Sequence, residues 1–163
     1  MCSNKLDLDK GVLVMAIFFC DPVDKPYGCF SNFAAYSFTL DNLLWQTVEH
    51  FYQASKYEGT PYLEIIQKAI DPKEAYRLSK QYSEHKRTDW KDVKLEYMKR
   101  GTLQKFIENP EIRKILLDTQ DDTIIENCPN DDYWGQDANG IGENNMGKIL
   151  MEVREYFRQS DQA

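Results

Sequence analysis

The chain is poor in the residues that bind metal ions. It contains two histidines and four cysteines among 163 residues, and no two of these cysteines have the CxxC spacing typical of zinc sites. A metal site is therefore not expected, and we predict an activity that needs no cofactor. Because the chain is neither short nor dominated by loops, we predict free thiols in a reducing cytoplasm for the four cysteines, Cys2, Cys20, Cys29 and Cys128.

The sequence also lacks a long apolar run and an excess of positive charge. The one apolar stretch that could suggest a membrane covers residues 11–20, which is about half of what a spanning helix needs. No small-residue cleavage site follows it, so a signal peptide is not predicted. With 27 acidic and 20 basic residues, the net charge is −7, which argues against passive binding to a nucleic-acid backbone. Binding of one nucleotide-like small molecule in a specific pocket is still compatible with this charge. We expect the protein to bind neither a membrane nor a stable protein partner.

What the sequence does contain is a regular succession of helix and strand patterns. Its length suits one domain with its own core, and the patterns predict a mostly helical α+β fold with five or six helices and a small β-sheet. We expect residues 1–14 to be an N-terminal extension, frayed over 1–10, with Met15 as an alternative start, and the domain to cover 15–160. The predicted strands cover 12–20, 36–40, 43–45 and 122–126, and the predicted helices cover 47–59, 61–70, a short segment from 72, 89–108, a segment from 110, and 144 or 145 to 157.

The helix predicted after Thr47 carries the most informative pattern. Positions i, i+3, i+4 and i+7 line up on one helix face, and here they are Glu49, Tyr52, Gln53 and Lys56. Two turns rise about 10.5 Å, so one small ligand could contact both the carboxylate and the amine. Glu49 can act as a general acid or base and Lys56 as an amine nucleophile. An ordinary amphipathic helix with a solvated polar stripe explains the same spacing.

A second group of candidate residues lies where a polar loop enters the long helix over 89–108. A cation beside a helix N-terminus favours phosphate binding, and Trp90 could stack on a base. The equally good alternative is that Asp89 caps its helix while Trp90 anchors the core. The group at this junction consists of Arg87, Asp89, Trp90 and Lys94.

His50 lies on the helix predicted after Thr47 and points away from Glu49 around that helix. We therefore predict a structural role for this histidine.

The long loop over residues 127–143 is the third candidate region. Loops of this length are often functional, and a large aromatic side chain in a polar loop, here Trp134, favours stacking on a ligand. The glycines that follow have the spacing G-x-G-x₄-G without a preceding βαβ unit, so a dinucleotide-binding motif is not predicted. We expect the glycine-rich turn to deliver Asn144 to the start of the last helix, where an anion could bind.

Six motifs follow one another along the chain: YGCFSNF at 27–33, WQTVEHFYQASK at 45–56, RTDWKDVK at 87–94, KF at 105–106, WG at 134–135 and GENNMGKILMEVR at 142–154. Together they resemble the NADAR (YbiA-like) family, and the resemblance covers residues 17–158. It implies a single compact YbiA-like domain that cleaves the C–N bond between ribose C1 and a nitrogen. The implied substrates are phosphoribosylamino-pyrimidine intermediates of riboflavin synthesis, or ADP-ribose attached to guanine in nucleic acid.

The resemblance also implies roles for individual residues. Glu49 would be the acid/base residue, Lys56 would form an imine with C1 of the opened ribose, and Asp132 would be a second carboxylate. Trp90 and Trp134 would hold the base or ring. Phosphate and sugar would be bound by Ser31, Asn32, Arg87, Lys94 and Asn144, with Phe33 and Gly135 as further substrate-binding residues.

Two other functions explain parts of the pattern. A non-catalytic module that binds ADP-ribose or a related nucleotide would use the same pocket, but binding needs neither Glu49 nor Lys56, so their joint presence favours an enzyme. A metal-dependent nucleotide pyrophosphohydrolase would need clustered carboxylates. Glu152 and Glu155 form a single helical pair with no partner motif upstream, so this third function is the least favoured.

Overall fold

The computed structural model describes residues 4–7, 12–129, 131–137 and 139–160. The chain divides into two compact units: the strand unit, Met1–Ser31 with Pro110–Ala163, and the helical unit, Asn32–Asn109. The mostly helical α+β fold class is confirmed. The strands are β1 (Asn4–Asp7), β2 (Val12–Phe19), β3 (Phe38–Leu40), β4 (Leu43–Trp45) and β5 (Thr123–Glu126), and the helices are α1 (Val48–Ala54), α2 (Tyr62–Gln67), α3 (Pro72–Gln81), α4 (Trp90–Glu108), α5 (Pro110–Asp118) and α6 (Asn145–Ser160).

A three-stranded sheet forms the centre of the strand unit. Its middle strand, β2, pairs antiparallel with β1 and parallel with β5. Alternate residues of β2, Ile17 and Phe19, are buried, as expected for a strand with one covered face. The strands predicted over 12–20 and 122–126 are therefore confirmed. The expectation of a frayed start is wrong for Asn4–Asp7, which pairs as β1, whereas residues 1–3 and 8–11 lie outside the described residues. The domain boundaries stay a prediction.

The prediction of free thiols is wrong for two of the cysteines. Cys20 and Cys128 form a disulfide, and their Cα atoms are 5.1 Å apart. Cys20 directly follows β2 and Cys128 lies just beyond β5, so the parallel pairing of these strands brings the two residues together. The two cysteines are 108 residues apart in the sequence. Their pairing could be predicted only from the order of the strands in the sheet, which the spacing of the cysteines does not reveal. Cys29 is buried outside any disulfide, with its thiol 3.3 Å from the carbonyl oxygen of Pro26, and Cys2 lies outside the described residues.

The helical unit contains a short hairpin. β3 and β4 pair antiparallel, with Leu40 opposite Leu43. The two turn residues between them, Asp41 and Asn42, have φ angles of 56° and 61°. Asp and Asn enter this left-handed region more readily than other non-glycine residues, so the turn forms without a glycine. The predicted strand pair is confirmed, with the first strand shorter than expected.

α1 follows the hairpin and is buried along its whole length. The Thr47 side chain accepts a hydrogen bond from the backbone N–H of His50 and so caps the helix. The helix continues as a 3₁₀ turn over Ser55–Tyr57, and the chain turns at Gly59, where φ is 77°. Because every side chain of α1 is buried, the alternative of a solvated polar stripe is wrong.

His50 is a structural histidine, as predicted. It is fully buried, and its Nδ1 lies 2.8 Å from the hydroxyl of Thr47 while Nε2 lies 3.2 Å from the carbonyl oxygen of Ala69. Burial lowers the pKa of His50, and the hydrogen bond to Ala69 opposes this. Both ring nitrogens of His50 therefore make contacts that stabilise the fold.

The other helices begin within one residue of the predicted positions, and the helix predicted over 61–70 ends earlier, at Gln67. Pro72 opens α3, and the side chain of Asp71 accepts from the N–H of Glu74 at 2.8 Å. The carboxylate of Glu74 accepts from the N–H of Ile70 at 2.7 Å, one residue before the position expected in a capping box. The polar loop that follows α3 contains a 3₁₀ turn at Ser83–His85. Within the described part of the chain, no helix is long and apolar enough to cross a membrane.

Gly101 lies in α4 where this helix packs against α1. A Cβ atom at this position would lie 2.7 Å from Cδ1 of Phe51 and 3.3 Å from Cγ1 of Val48. Glycine costs a helix about 1 kcal/mol relative to alanine, but here its missing side chain allows the two helices to approach closely. The glycine thus has a packing role that helix propensity alone does not reveal.

Candidate active site

Glu49 occupies a buried, hydrogen-bonded position on α1. The residue is 3% exposed. Asn32 Nδ2 donates to Oε2 at 2.6 Å, and Gln53 Nε2 donates to Oε1 at 2.6 Å. The backbone N–H of Glu49 also donates to the carbonyl oxygen of Asn32 at 3.0 Å. Both carboxylate oxygens act as acceptors, as they do in the ionised form, and such hydrogen bonds offset the cost of burying the charge.

Lys56 lies one turn further along the chain from Gln53. Its Nζ donates to Gln53 Oε1 at 2.5 Å. The same nitrogen lies 4.9 Å from the ring centroid of Tyr52 and 5.7 Å from that of Trp90. A carboxylate, an amide and an amine therefore form one hydrogen-bonded succession, with two aromatic rings beside the amine. The predicted common face of Glu49 and Lys56 is observed.

Burial lowers the pKa of Lys56 to about 8. The negative charge of Glu49 opposes this effect, and the positive charges of Lys80 and Lys86 add to it. At pH 7 about a tenth of Lys56 is then uncharged. This fraction is large enough for the amine to act as a nucleophile, whereas an ordinary surface lysine is almost wholly protonated.

Two hydrogen bonds bring Lys80 and Lys86 towards Lys56. The hydroxyl of Tyr57 donates to the carbonyl oxygen of the residue before Lys80. The backbone N–H of the residue after Lys86 donates to the carbonyl oxygen of Lys56 at 2.9 Å. The segments that carry both lysines are thereby tied to the end of α1.

Arg87 makes a network of its own. Its Nε and Nη2 donate to the two carboxylate oxygens of Asp89 at 2.6 and 2.9 Å, and Nη1 donates to Glu58 at 2.7 Å and to the hydroxyl of Tyr97 at 2.6 Å. Asp89 is the N-cap residue of α4, as expected, but its side chain makes no capping hydrogen bond; its carboxylate pairs with Arg87 instead. Phosphate binding by Arg87 stays a prediction.

An open groove of about 740 Å³ lies beside this network. It is lined by Glu58, Gly59, Lys86, Arg87, Thr88 and Asp89.

Trp90 both packs inside the helical unit and borders the amine. It is buried, and its ring centroid lies 4.9 Å from that of Tyr52 and 5.4 Å from that of Tyr97. Because its ring also lies beside Lys56, the core-anchor and ligand-binding interpretations are compatible. The other predicted binding residues of the helical unit are half-buried and comprise Asn32, Phe33 and Lys94.

The strand unit holds the loop that carries Trp134. The ring of Trp134 is half-buried and meets the ring of Tyr133 edge to face at 5.0 Å. Its backbone N–H donates to the side chain of Asp131 at 2.8 Å, which shapes the turn. Asp132 is exposed, and Ser31 is buried at the end of the 3₁₀ turn that follows β2. The site roles of Ser31, Asp132 and Trp134 stay predictions.

Gly135 and Asn144 shape the backbone of the same unit. A Cβ atom on Gly135 would lie 2.6 Å from the carbonyl oxygen of Glu126, so the close approach requires glycine. Asn144 has a φ of 51°. Its Oδ1 accepts from the N–H of Glu126 at 3.1 Å, and its Nδ2 donates to the carbonyl oxygen of Ile124 at 2.9 Å. These bonds tie the start of α6 to β5, while substrate binding by either residue stays a prediction.

The sequence did not reveal three features of the site. Gln53 lies on the predicted helix face, but the sequence analysis assigns it no role. Its spacing of four residues from Glu49 and three from Lys56 is nevertheless typical of side chains in contact on a helix. Lys80 and Lys86 had no distinguishing pattern at all.

No cluster of three or more histidine, cysteine, aspartate or glutamate side chains that could hold a metal ion occurs among the described residues.

Comparison with known proteins identifies the family. The NADAR domain family model matches residues 18–158. An N-glycosidase of Nostoc punctiforme is 42% identical over 147 residues, which cover 88% of this chain and 94% of that protein. A riboflavin biosynthesis protein of Vibrio vulnificus is 34% identical over 153 residues, which cover 94% of this chain but 41% of that protein. The NMR structure of Escherichia coli YbiA matches with a TM-score of 0.82 at 36% identity, covering 90% of this chain and 87% of that one. The expected membership is confirmed, and the chain belongs to the NADAR family.

Proposed function

We propose that this chain is an N-glycosidase that cleaves the C–N bond between ribose C1 and an amine nitrogen. The observation that carries this proposal is the hydrogen-bonded succession of Glu49, Gln53 and Lys56 on a buried helix. The names of the Nostoc and Escherichia relatives, both N-glycosidases, support it. A module that only binds nucleotides has no need for a buried carboxylate joined to an amine whose pKa is lowered.

Lys56 is the nucleophile in this proposal. In the ring-opened ribosylamine, C1 is double-bonded to the nitrogen of the base. The uncharged Nζ adds to C1, so that C1 carries both nitrogens, and the base nitrogen takes up a proton and leaves with the electrons of its bond to C1. Lys56 is then joined to C1 as an imine. Water adds to the imine and releases the ribose aldehyde and the free lysine.

Glu49 moves the protons in these steps. It takes up the proton that is released when Nζ bonds to C1 and returns one to the leaving nitrogen, with water carrying the proton between the groups. Direct attack by water on C1 is the alternative chemistry, in which Glu49 would activate the water and Lys56 would only bind. Trapping of a covalent adduct separates the two, since the direct route forms none.

The remaining predicted residues are proposed to bind the substrate. Trp90, beside the amine, and Trp134 hold the base or ring, and Asp132 is a second carboxylate. Alanine at Trp134 should raise KM with little effect on the stability of the protein, because its ring is half-buried. The proposed contacts to sugar and phosphate involve Ser31, Asn32, Phe33, Arg87, Lys94, Gly135 and Asn144.

The proposed substrate is a phosphorylated ribosylamine. Lys80 and Lys86 add positive charge near Lys56, which favours a phosphate close to C1. The name of the Vibrio relative, a riboflavin biosynthesis protein, favours the phosphoribosylamino-pyrimidine intermediates, and ADP-ribose on guanine offers the same C–N bond. The protein should be incubated with each compound in the presence of EDTA, and the products identified by mass spectrometry. Release of a base from either compound supports the proposal, whereas release from neither contradicts it.

The proposed location is the cytoplasm. The disulfide between Cys20 and Cys128 weighs against a reducing compartment. Alkylation of the protein in freshly lysed cells, followed by mass spectrometry, tests the location. Two alkylated thiols at these positions support a reducing cytoplasm, and an intact disulfide argues for an oxidising compartment.

A further inference from the structure

Gln53 is a buried glutamine whose side chain contacts both reactive groups. It is 3% exposed, its Nε2 donates to Glu49 Oε1 at 2.6 Å, and its Oε1 accepts from Lys56 Nζ at 2.5 Å. A carboxylate only accepts hydrogen bonds and an ammonium only donates them. The orientation of the amide is therefore determined by its two neighbours, because the opposite orientation would place donor against donor and acceptor against acceptor.

We propose that Gln53 is a positioning residue, whose amide holds the Glu49 carboxylate and the Lys56 amine in one fixed arrangement. The inference rests on the proposed function of that pair. The amide of Gln53 contacts both groups without adding a charge of its own. A carboxylate at position 53 would favour the ammonium form of Lys56, which cannot attack C1. Gln53 thus fixes the positions of the two groups while it leaves the amine reactive.

Lys56 is surrounded by charges from several elements. Glu49 acts on it from α1, Lys80 from α3 and Lys86 from the segment before α4. The rings of Tyr52 and Trp90 lie against the same nitrogen. Because the two lysines lower the pKa and Glu49 raises it, a new charge at position 53, in direct contact with Nζ, changes this balance strongly.

The substitution Gln53→Glu tests the inference with nearly the same side-chain shape. It places a carboxylate in contact with Nζ, so the titration of Lys56 should shift upward by about one pH unit or more from its position near pH 8. The titration is followed by NMR of the lysine ¹³Cε signals in the free protein, and Lys56→Arg identifies the signal. Gln53→Leu removes both hydrogen bonds and should lower kcat by roughly 100-fold, with a smaller change in KM, because Gln53 is not proposed to contact the substrate. Raising the pH should partly restore Gln53→Glu but not Gln53→Leu.

Gln104 provides the matched control. It lies on α4, and its Nε2 donates to Glu108 Oε1 at 2.8 Å, so it also joins a helical glutamine to a glutamate. Gln104→Glu and Gln104→Leu should leave the titration of Lys56 and kcat unchanged. Circular dichroism and thermal melting show that each variant is folded, and where Gln53→Leu does not fold, Gln53→Glu alone decides.

The titration needs no substrate and is therefore independent of the proposed function. An upward shift in folded Gln53→Glu supports the inference, and titration of Lys56 at its wild-type pH overturns it. If the shift is observed but the wild-type protein releases no base from any ribosylamine, the proposed function fails while the arrangement around Gln53 stands.

Discussion

Replacing Glu49 by glutamine removes the proton-transfer group while keeping its size and shape. An amide can neither take up nor release a proton at neutral pH, so kcat should fall by about 10²–10⁴. This corresponds to about 3–5 kcal/mol in the activation free energy. The predicted loss is in kcat, because Glu49 acts in the chemical step.

The same substitution has a predictable cost in stability. Asn32 and Gln53 both donate to Glu49, and a new NH₂ group would face one of these donors. One hydrogen bond is lost and a buried donor stays unpaired, which should lower the free energy of unfolding by about 1–3 kcal/mol. Urea denaturation measures this cost, and assays well below the melting temperature separate it from the loss of kcat.

Glu108→Gln is the control for this experiment. Both carboxylate oxygens of Glu108 lie 3.0 Å from the backbone N–H of Thr39, and one accepts from Gln104. Its substitution also disturbs two donors but should leave kcat unchanged. Turnover by folded Glu49→Gln within a few-fold of the wild type would refute the proposed role of Glu49.

Three further predictions concern pH, packing and the disulfide. Because the uncharged amine of Lys56 is the nucleophile, kcat/KM should rise with pH and level off above its pKa of about 8; a profile that falls between pH 6 and 8 contradicts this. Gly101→Ala should lower the free energy of unfolding by about 1–3 kcal/mol in urea denaturation, although helix propensity alone predicts a gain of about 1 kcal/mol. Replacing Cys20 and Cys128 together by serine should lower it by about 2–5 kcal/mol, and equal unfolding midpoints for wild type and variant under oxidising conditions would disprove this contribution.

From β2 onward, the order and type of the elements were predictable because their determinants are local. The cap at Thr47, the proline that opens α3 and the glycine at 59 each act within a few residues. The common face of Glu49 and Lys56 follows from helix geometry alone. The motifs that carry the family resemblance were equally visible, since they consist of short runs of residues.

The features that escaped prediction depend on contacts between distant segments. The disulfide follows from the parallel pairing of β2 with β5, which no cysteine spacing encodes. Gly101 gains its packing role only when α4 lies against α1. The influence of Lys80 and Lys86 on Lys56 likewise requires the hydrogen bonds that fold their segments against the end of α1.

Borohydride trapping during turnover tests the central claim most directly. Reduction converts an imine between Lys56 and C1 into a stable amine, so the protein should gain the mass of the reduced sugar, and peptide mapping should locate the adduct at position 56. Lys56→Ala should gain no mass and should lose turnover. A wild-type protein that turns over substrate without forming an adduct, together with an active Lys56→Ala variant, would contradict covalent catalysis by this lysine.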